Sequence, residues 1–145
     1  MMKKILALVL VFCCLCFSSC TMFEETYNRV FDAGTLIENF CFALMDNDFE
    51  TAKSYLHPNS SLNNSFIEII EKFEQENGID FSSGVAFMYR GSASAGVYSF
   101  EFNGAQYEMD YNMIIGKTKI CLSFVVIGSE DNLSIYSMEA NQLSD

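Results

Sequence analysis

Basic residues, histidine and proline are all scarce in this chain: Lys and Arg number 8 against 19 Asp and Glu, with one His and one Pro. A formal net charge of −11 repels phosphate backbones and anionic head groups, which argues against nucleic-acid binding and electrostatic docking to membranes. With one histidine and no Cys/His metal spacing, neither a metal nor a cofactor is expected. A phosphate-cradling glycine loop and a nucleophile elbow are also missing. No internal repeat or low-complexity tract interrupts the chain, which therefore reads as a single unit on a short tether. No apolar run reaches the roughly 20 residues that a membrane-spanning helix needs.

What is there begins with a leader. Lys3 and Lys4 precede an unbroken apolar stretch from Ile5 to Phe17, followed by Ser18 and Ser19. These are the three parts of a secretory signal peptide. Phe17-Ser18-Ser19-Cys20 resembles the lipobox at which bacteria attach diacylglycerol to a cysteine thiol and cut just before it, although Leu is usual where Phe17 stands. Cleavage after Cys20 by the ordinary peptidase is the alternative. Lipidation implies residues 1–19 as signal, Cys20 as the acylated N-terminus, 20–31 as tether or start of the first helix, and 32–145 as the folded domain. The protein is then a lipoprotein of the bacterial cell envelope, held by fatty acyl chains of the palmitate type and facing periplasm or exterior. Of the six cysteines, Cys41 and Cys121 alone remain as thiols after lipidation.

The periodicity changes from helical to alternating along the mature chain. Val30, Ile37, Phe40, Cys41, Leu44 and Met45 recur at three and four residues, predicting a helix from about Asp32 to Met45, with an extension back through Tyr27 open despite Gly34. Asn47 with Glu50 forms a capping-box-like start to a second helix, which Pro58 stops. Ser65 with Glu68 starts a third, carrying Phe66, Ile69, Ile70 and Phe73, and Gly78 suits its left-handed end.

From Ser82 the period is two. An Asn103-Gly104 turn pairs Tyr98 with Met109, Phe100 with Tyr107 and Phe102 with Ala105. A Gly116-Lys117 turn pairs Met113 with Ile120, Tyr111 with Leu122, Met109 with Phe124 and Tyr107 with Val126. An acidic loop, Gly128 to Asn132, sets Phe124 against Tyr136 and Leu122 against Met138. A fifth strand around Val85 to Arg90 pairs with the one beginning near Val97. All three turns bury one face and leave Glu101, Glu108 and Asp110 on the other. Cys121 falls on that outer face and Cys41 on the inward stripe, so the two are expected not to be joined.

Helices followed by a curled antiparallel meander, with the acidic junction Leu44-Met45-Asp46-Asn47-Asp48-Phe49 running on to His57-Pro58, resemble the nuclear transport factor 2-like (cystatin-like) superfamily, and within it the small bacterial lipoproteins. The resemblance covers about residues 32 to 140. It implies an α+β cone, in which a sheet of four to five strands wraps the first helix and leaves a pocket at its open end. Many relatives end the last strand with Trp and a basic residue, and this chain has no Trp.

The expected pocket lining is Phe40, Leu44, Tyr98, Tyr107, Met109, Tyr111 and Tyr136. It holds no carboxylate, and His57, before Pro58 at a helix end, reads as a capping or solvent-facing group. Asp46 to Glu50 alternates acids like a calcium loop, but Thr51 and His57 stand where that loop needs glycine and glutamate. The leading expectation is thus a non-catalytic envelope lipoprotein binding a small apolar ligand, a peptide or an envelope protein. The alternatives are an isomerase- or cyclase-type enzyme using inward Tyr residues with a helix-borne acid, as the resemblance implies, and an interaction subunit that dimerises through its sheet. An exposed cluster at Val85, Val97, Val125 and Ile135 would favour the last.

Overall fold

The computed structural model describes residues 28–99, 104–129 and 132–141, with side chains at 28–88, 104–128 and 132–141. The leader, Cys20, Phe100, Glu101 and Phe102, and the side chains of Val97 and Tyr98, lie outside them. Among the described residues, three α-helices, α1 (28–45), α2 (Phe49–Ser54) and α3 (Phe66–Asn77), precede four strands, β1 (Val85–Ser99), β2 (Gly104–Ile115), β3 (Thr118–Ser129) and β4 (Asn132–Asn141). The strands form one antiparallel sheet in the order β1-β2-β3-β4, so the fold is α+β.

α1 buries Ala33, Ile37, Phe40, Cys41 and Leu44 at helical spacing, the stripe that its sequence dictates. The second helix starts one residue later than expected. Asp48 is its N-cap: the Thr51 N–H donates to Asp48 Oδ1 (3.1 Å) and the Thr51 hydroxyl to Oδ2 (2.7 Å). Asn47 instead takes φ 57° in the turn, which Asn tolerates better than most residues. α3 starts after Ser65 as expected, but Ser65 is itself left-handed and makes no side-chain cap bond. Gly78 closes α3 at φ 62°, its N–H donating to the Glu74 carbonyl, the left-handed ending that glycine permits.

The β2–β3 hairpin has the expected register throughout, from Met113 with Ile120 to Tyr107 with Val126, around Gly116 at φ 60°. The flanking registers differ. Val85–Arg90 and the strand near Val97 are one strand, β1, with register shifts between Tyr89 and Ala93 and between Ser94 and Val97. The small residues Gly91 to Gly96 read as a break, yet such residues accommodate bulges in a continuing strand. Ser99 pairs with Gly104 and Tyr98 with Ala105, so Gly104 belongs to the ladder rather than to a two-residue turn, and Tyr98 does not face Met109.

At the other edge Phe124 faces Met138, Leu122 faces Ala140 and Val126 faces Ile135, with a register shift after Val125. The extra residue in β4 is Tyr136. Ile135 therefore enters the core, fully buried, while Tyr136 stays half-buried outside it. The chain after α2 secures this edge: Leu56 bridges Ile135, the His57 N–H donates to the Ile135 carbonyl (2.8 Å) and the Ile135 N–H to the Tyr55 carbonyl (2.8 Å).

Between helices and sheet, Phe124 is fully buried and stands edge-on to Phe40 (6.4 Å) and Tyr111 (6.1 Å), an arrangement that ring quadrupoles favour. Glu108 is exposed and Asp110 half-buried on the opposite face, where the Ser123 hydroxyl donates to Asp110 and the Asn141 amide to Ser123. That face is not uniformly wet, since Cys121 and Ile127 lie on it and are buried outside the main cluster. Cys41 and Cys121 are unlinked.

Candidate functional site

Glycine in mid-helix is disfavoured by roughly 1 kcal/mol relative to alanine, so Gly34 in α1 calls for a local reason. A Cβ there would stand 3.0 Å from the Tyr111 hydroxyl oxygen and 3.7 Å from Met109 Cε. The bare Cα lets α1 settle against β2 with Tyr111 and Met109 beneath it. Beside that contact opens a cleft of about 450 Å³, lined by Val30, Phe31, Gly34, Thr35, Glu38, Met109 and Tyr111.

Met109 and Tyr111, each 3% exposed, form its floor. Phe31, 68% exposed, stands at the rim, and Glu38 and Thr35 are exposed along the same side of α1. The Thr35 hydroxyl donates to the Phe31 carbonyl (3.1 Å), which leaves its oxygen as an acceptor. Tyr111 is braced from behind by Phe87 (5.9 Å) as well as Phe124. The cleft is thus largely apolar, with a carboxylate and two hydroxyls on its walls.

Of the seven residues expected to line a pocket, Met109 and Tyr111 do so. Phe40, Leu44 and Tyr107 are instead core, buried to 0%, 2% and 3% exposure, because their neighbours fill the space inside the sheet. Tyr136 lies at the β4 edge, its ring 6.0 Å from that of His57. Tyr98 has no described side chain. Phe31, Thr35 and Glu38 were missed, being off the buried stripe of α1; Gly34, the one helix-weakening residue in it, was the available signal.

The remaining chemistry-bearing groups do not converge on this cleft. His57 Nδ1 accepts the Asn59 N–H (3.2 Å), a local turn role consistent with its expected position. Burial pushes the Cys41 thiol well above its ordinary range and the nearby Glu38 charge adds to the shift, so the thiolate needed for nucleophilic work is suppressed. Among the described residues, no group of three His, Cys, Asp or Glu could hold a metal ion. A second groove of about 410 Å³ crosses the outer sheet face, with Glu108, Asp110, Ser123, Ser137 and Glu139 in its lining. Of the apolar cluster that would favour pairing through the sheet, Ile135 is fully buried, Val85 and Val125 are half-buried, and the side chain of Val97 lies outside the described residues.

Comparison with family models, curated proteins and solved structures finds no match to the chain.

Proposed function

We propose that this chain is a membrane-tethered, non-catalytic lipoprotein of the cell envelope, a cone-type domain of the nuclear transport factor 2-like superfamily that takes a small apolar ligand in the cleft between α1 and β2. The cleft carries the reading: its floor is apolar, it is open to solvent, and its size is that of a small-molecule site. The lipobox-like Phe17-Ser18-Ser19-Cys20 supports the tether, and the succession of helices and meander supports the superfamily. Among the described residues no helix is long and apolar enough to cross a membrane.

One observation bears on the enzyme alternative, because Glu38 and Tyr111 supply an acid and a phenol to the same cleft. Glu38 stands exposed, whereas a general acid or base tuned to neutral pH is set by burial and neighbouring charge. Binding is therefore the better reading. Its test is a titration of the full chain with the neutral fluorescent probe N-phenyl-1-naphthylamine. Thr35→Trp, at an exposed helical position, fills the cleft and is expected to abolish saturable binding without moving the thermal midpoint, while Ser137→Trp in the outer groove leaves binding intact. Unchanged binding to Thr35→Trp overturns the assignment.

A further inference from the structure

We infer that the ligand taken by the α1–β2 cleft is a planar aromatic molecule, gripped between the Phe31 ring at the rim and the Met109 thioether on the floor. This rests on the cleft being the binding site and specifies what it selects. Phe31 lies off the buried stripe of α1 and keeps 68% of its surface exposed, while it lines the cleft. Exposed side chains change rotamer on the fastest scale of side-chain motion. Its ring is therefore free to swing onto whatever the cleft holds, and the apolar area buried in doing so favours closure.

The floor is fixed where the rim is free. The oxygen end of Tyr111 fits against α1 only because position 34 has no Cβ, which would stand 3.0 Å from that oxygen. Phe87 and Phe124 meet the Tyr111 ring edge-on at 5.9 and 6.1 Å, which holds it in one orientation. Met109 Cε would stand 3.7 Å from the same missing Cβ, so the thioether lies beside that ring. A ligand ring here meets two partners that prefer a π-system to a saturated body: another ring, offset or edge-on, and a polarisable sulfur at the ring edge. A saturated body of the same size gains the burial and neither contact. Preference for a ring follows from these groups being present, whatever the sum of charge around them.

The experiment is displacement of N-phenyl-1-naphthylamine from the full chain by two neutral probes of the same skeleton, 2-phenylethanol and 2-cyclohexylethanol. Burial of apolar area alone favours 2-cyclohexylethanol, whose saturated ring is the more hydrophobic. The aromatic grip reverses that order: 2-phenylethanol is expected to displace at a concentration about 3- to 10-fold lower, in line with one ring pair plus one sulfur–ring contact. Phe31→Leu keeps an apolar side chain at an exposed position without the ring, and should lower this ratio about 3-fold. Met109→Leu, close in volume but without sulfur, should also lower it. Equal displacement by the two probes from the native chain, a preference for 2-cyclohexylethanol, or an aromatic preference undiminished in either variant overturns the inference while the cleft stands. If the fluorescent probe does not bind the native chain at all, the cleft reading fails first and this inference with it.

Discussion

Phe124 and Asp110 lie on adjoining strands but on opposite faces of the sheet, and their substitution should have opposite weight. Phe124 is fully buried between Phe40 and Tyr111, so Phe124→Ala removes the ring from a filled interior and is expected to cost about 3 to 5 kcal/mol through the cavity left behind. Asp110 is half-buried and hydrogen-bonded by Ser123, and in Asp110→Asn the amide oxygen can accept the same hydroxyl. Its effect should stay within about 0.5 kcal/mol. Urea unfolding of both variants checks the contrast, and a severe Asp110→Asn with a mild Phe124→Ala would reverse the assigned faces. This residue-level assignment was legible in the sequence because alternation fixes which side chains point inward. The cleft was less so. Inward positions such as Phe40 and Tyr107 are consumed by packing, and the cleft forms where the missing side chain of Gly34 meets residues beside the buried stripe, which periodicity alone does not mark.

At the scale of elements, the β2–β3 hairpin could be read from the sequence because a tight turn at Gly116 joins two strands without an interruption. The neighbouring registers could not be, since a bulge changes the count without changing the composition. Ile135 and Tyr136 are both large and apolar enough to be inward, and it is Ile135 that is tied to the segment after α2. The small-residue run in β1 likewise conceals two register shifts. Helix starts follow side-chain chemistry more directly, and that of α2 has a pH signature. The Thr51 side chain and then its backbone N–H hold the Asp48 carboxyl below its ordinary range by hydrogen bonding to the charged form. A depressed folded-state value means that the cap's contribution is complete above the ordinary aspartate range and is lost as pH falls through the folded value. Asp48→Asn keeps a capping oxygen without the charge. The difference in thermal midpoint between the native chain and this variant should therefore be flat from pH 7 to 5 and then move against the native chain on further acidification. A difference that does not change with pH would show that the Asp48 charge has no part in the cap.

For the whole molecule, the proposed tether and the cleft are related through the length of chain between Cys20 and α1. From Cys20 to Val30, the first residue of the cleft lining, is ten residues, which span at most about 35 Å when fully extended. A lipid-anchored Cys20 thus restricts the cleft to within a few nanometres of the bilayer surface, where amphipathic ligands concentrate. The net negative charge of the chain opposes attraction to anionic lipids, so in the proposed lipoprotein the acyl chains would supply the anchoring, a single chain holding only weakly while two or three hold firmly. The protein should accordingly stay with membranes through a high-salt wash and leave them only in detergent. Cys20→Ala should release it to the soluble fraction or leave it as the larger uncleaved precursor, with the folded domain unchanged in its thermal midpoint because Cys20 precedes every residue of the core described above. Mass spectrometry of the native protein is the decisive measurement. A diacylglyceryl-modified N-terminal Cys20 is expected, and an unmodified mature chain beginning at Thr21 would mean ordinary cleavage, a freely diffusing protein and a cleft with no privileged access to the membrane.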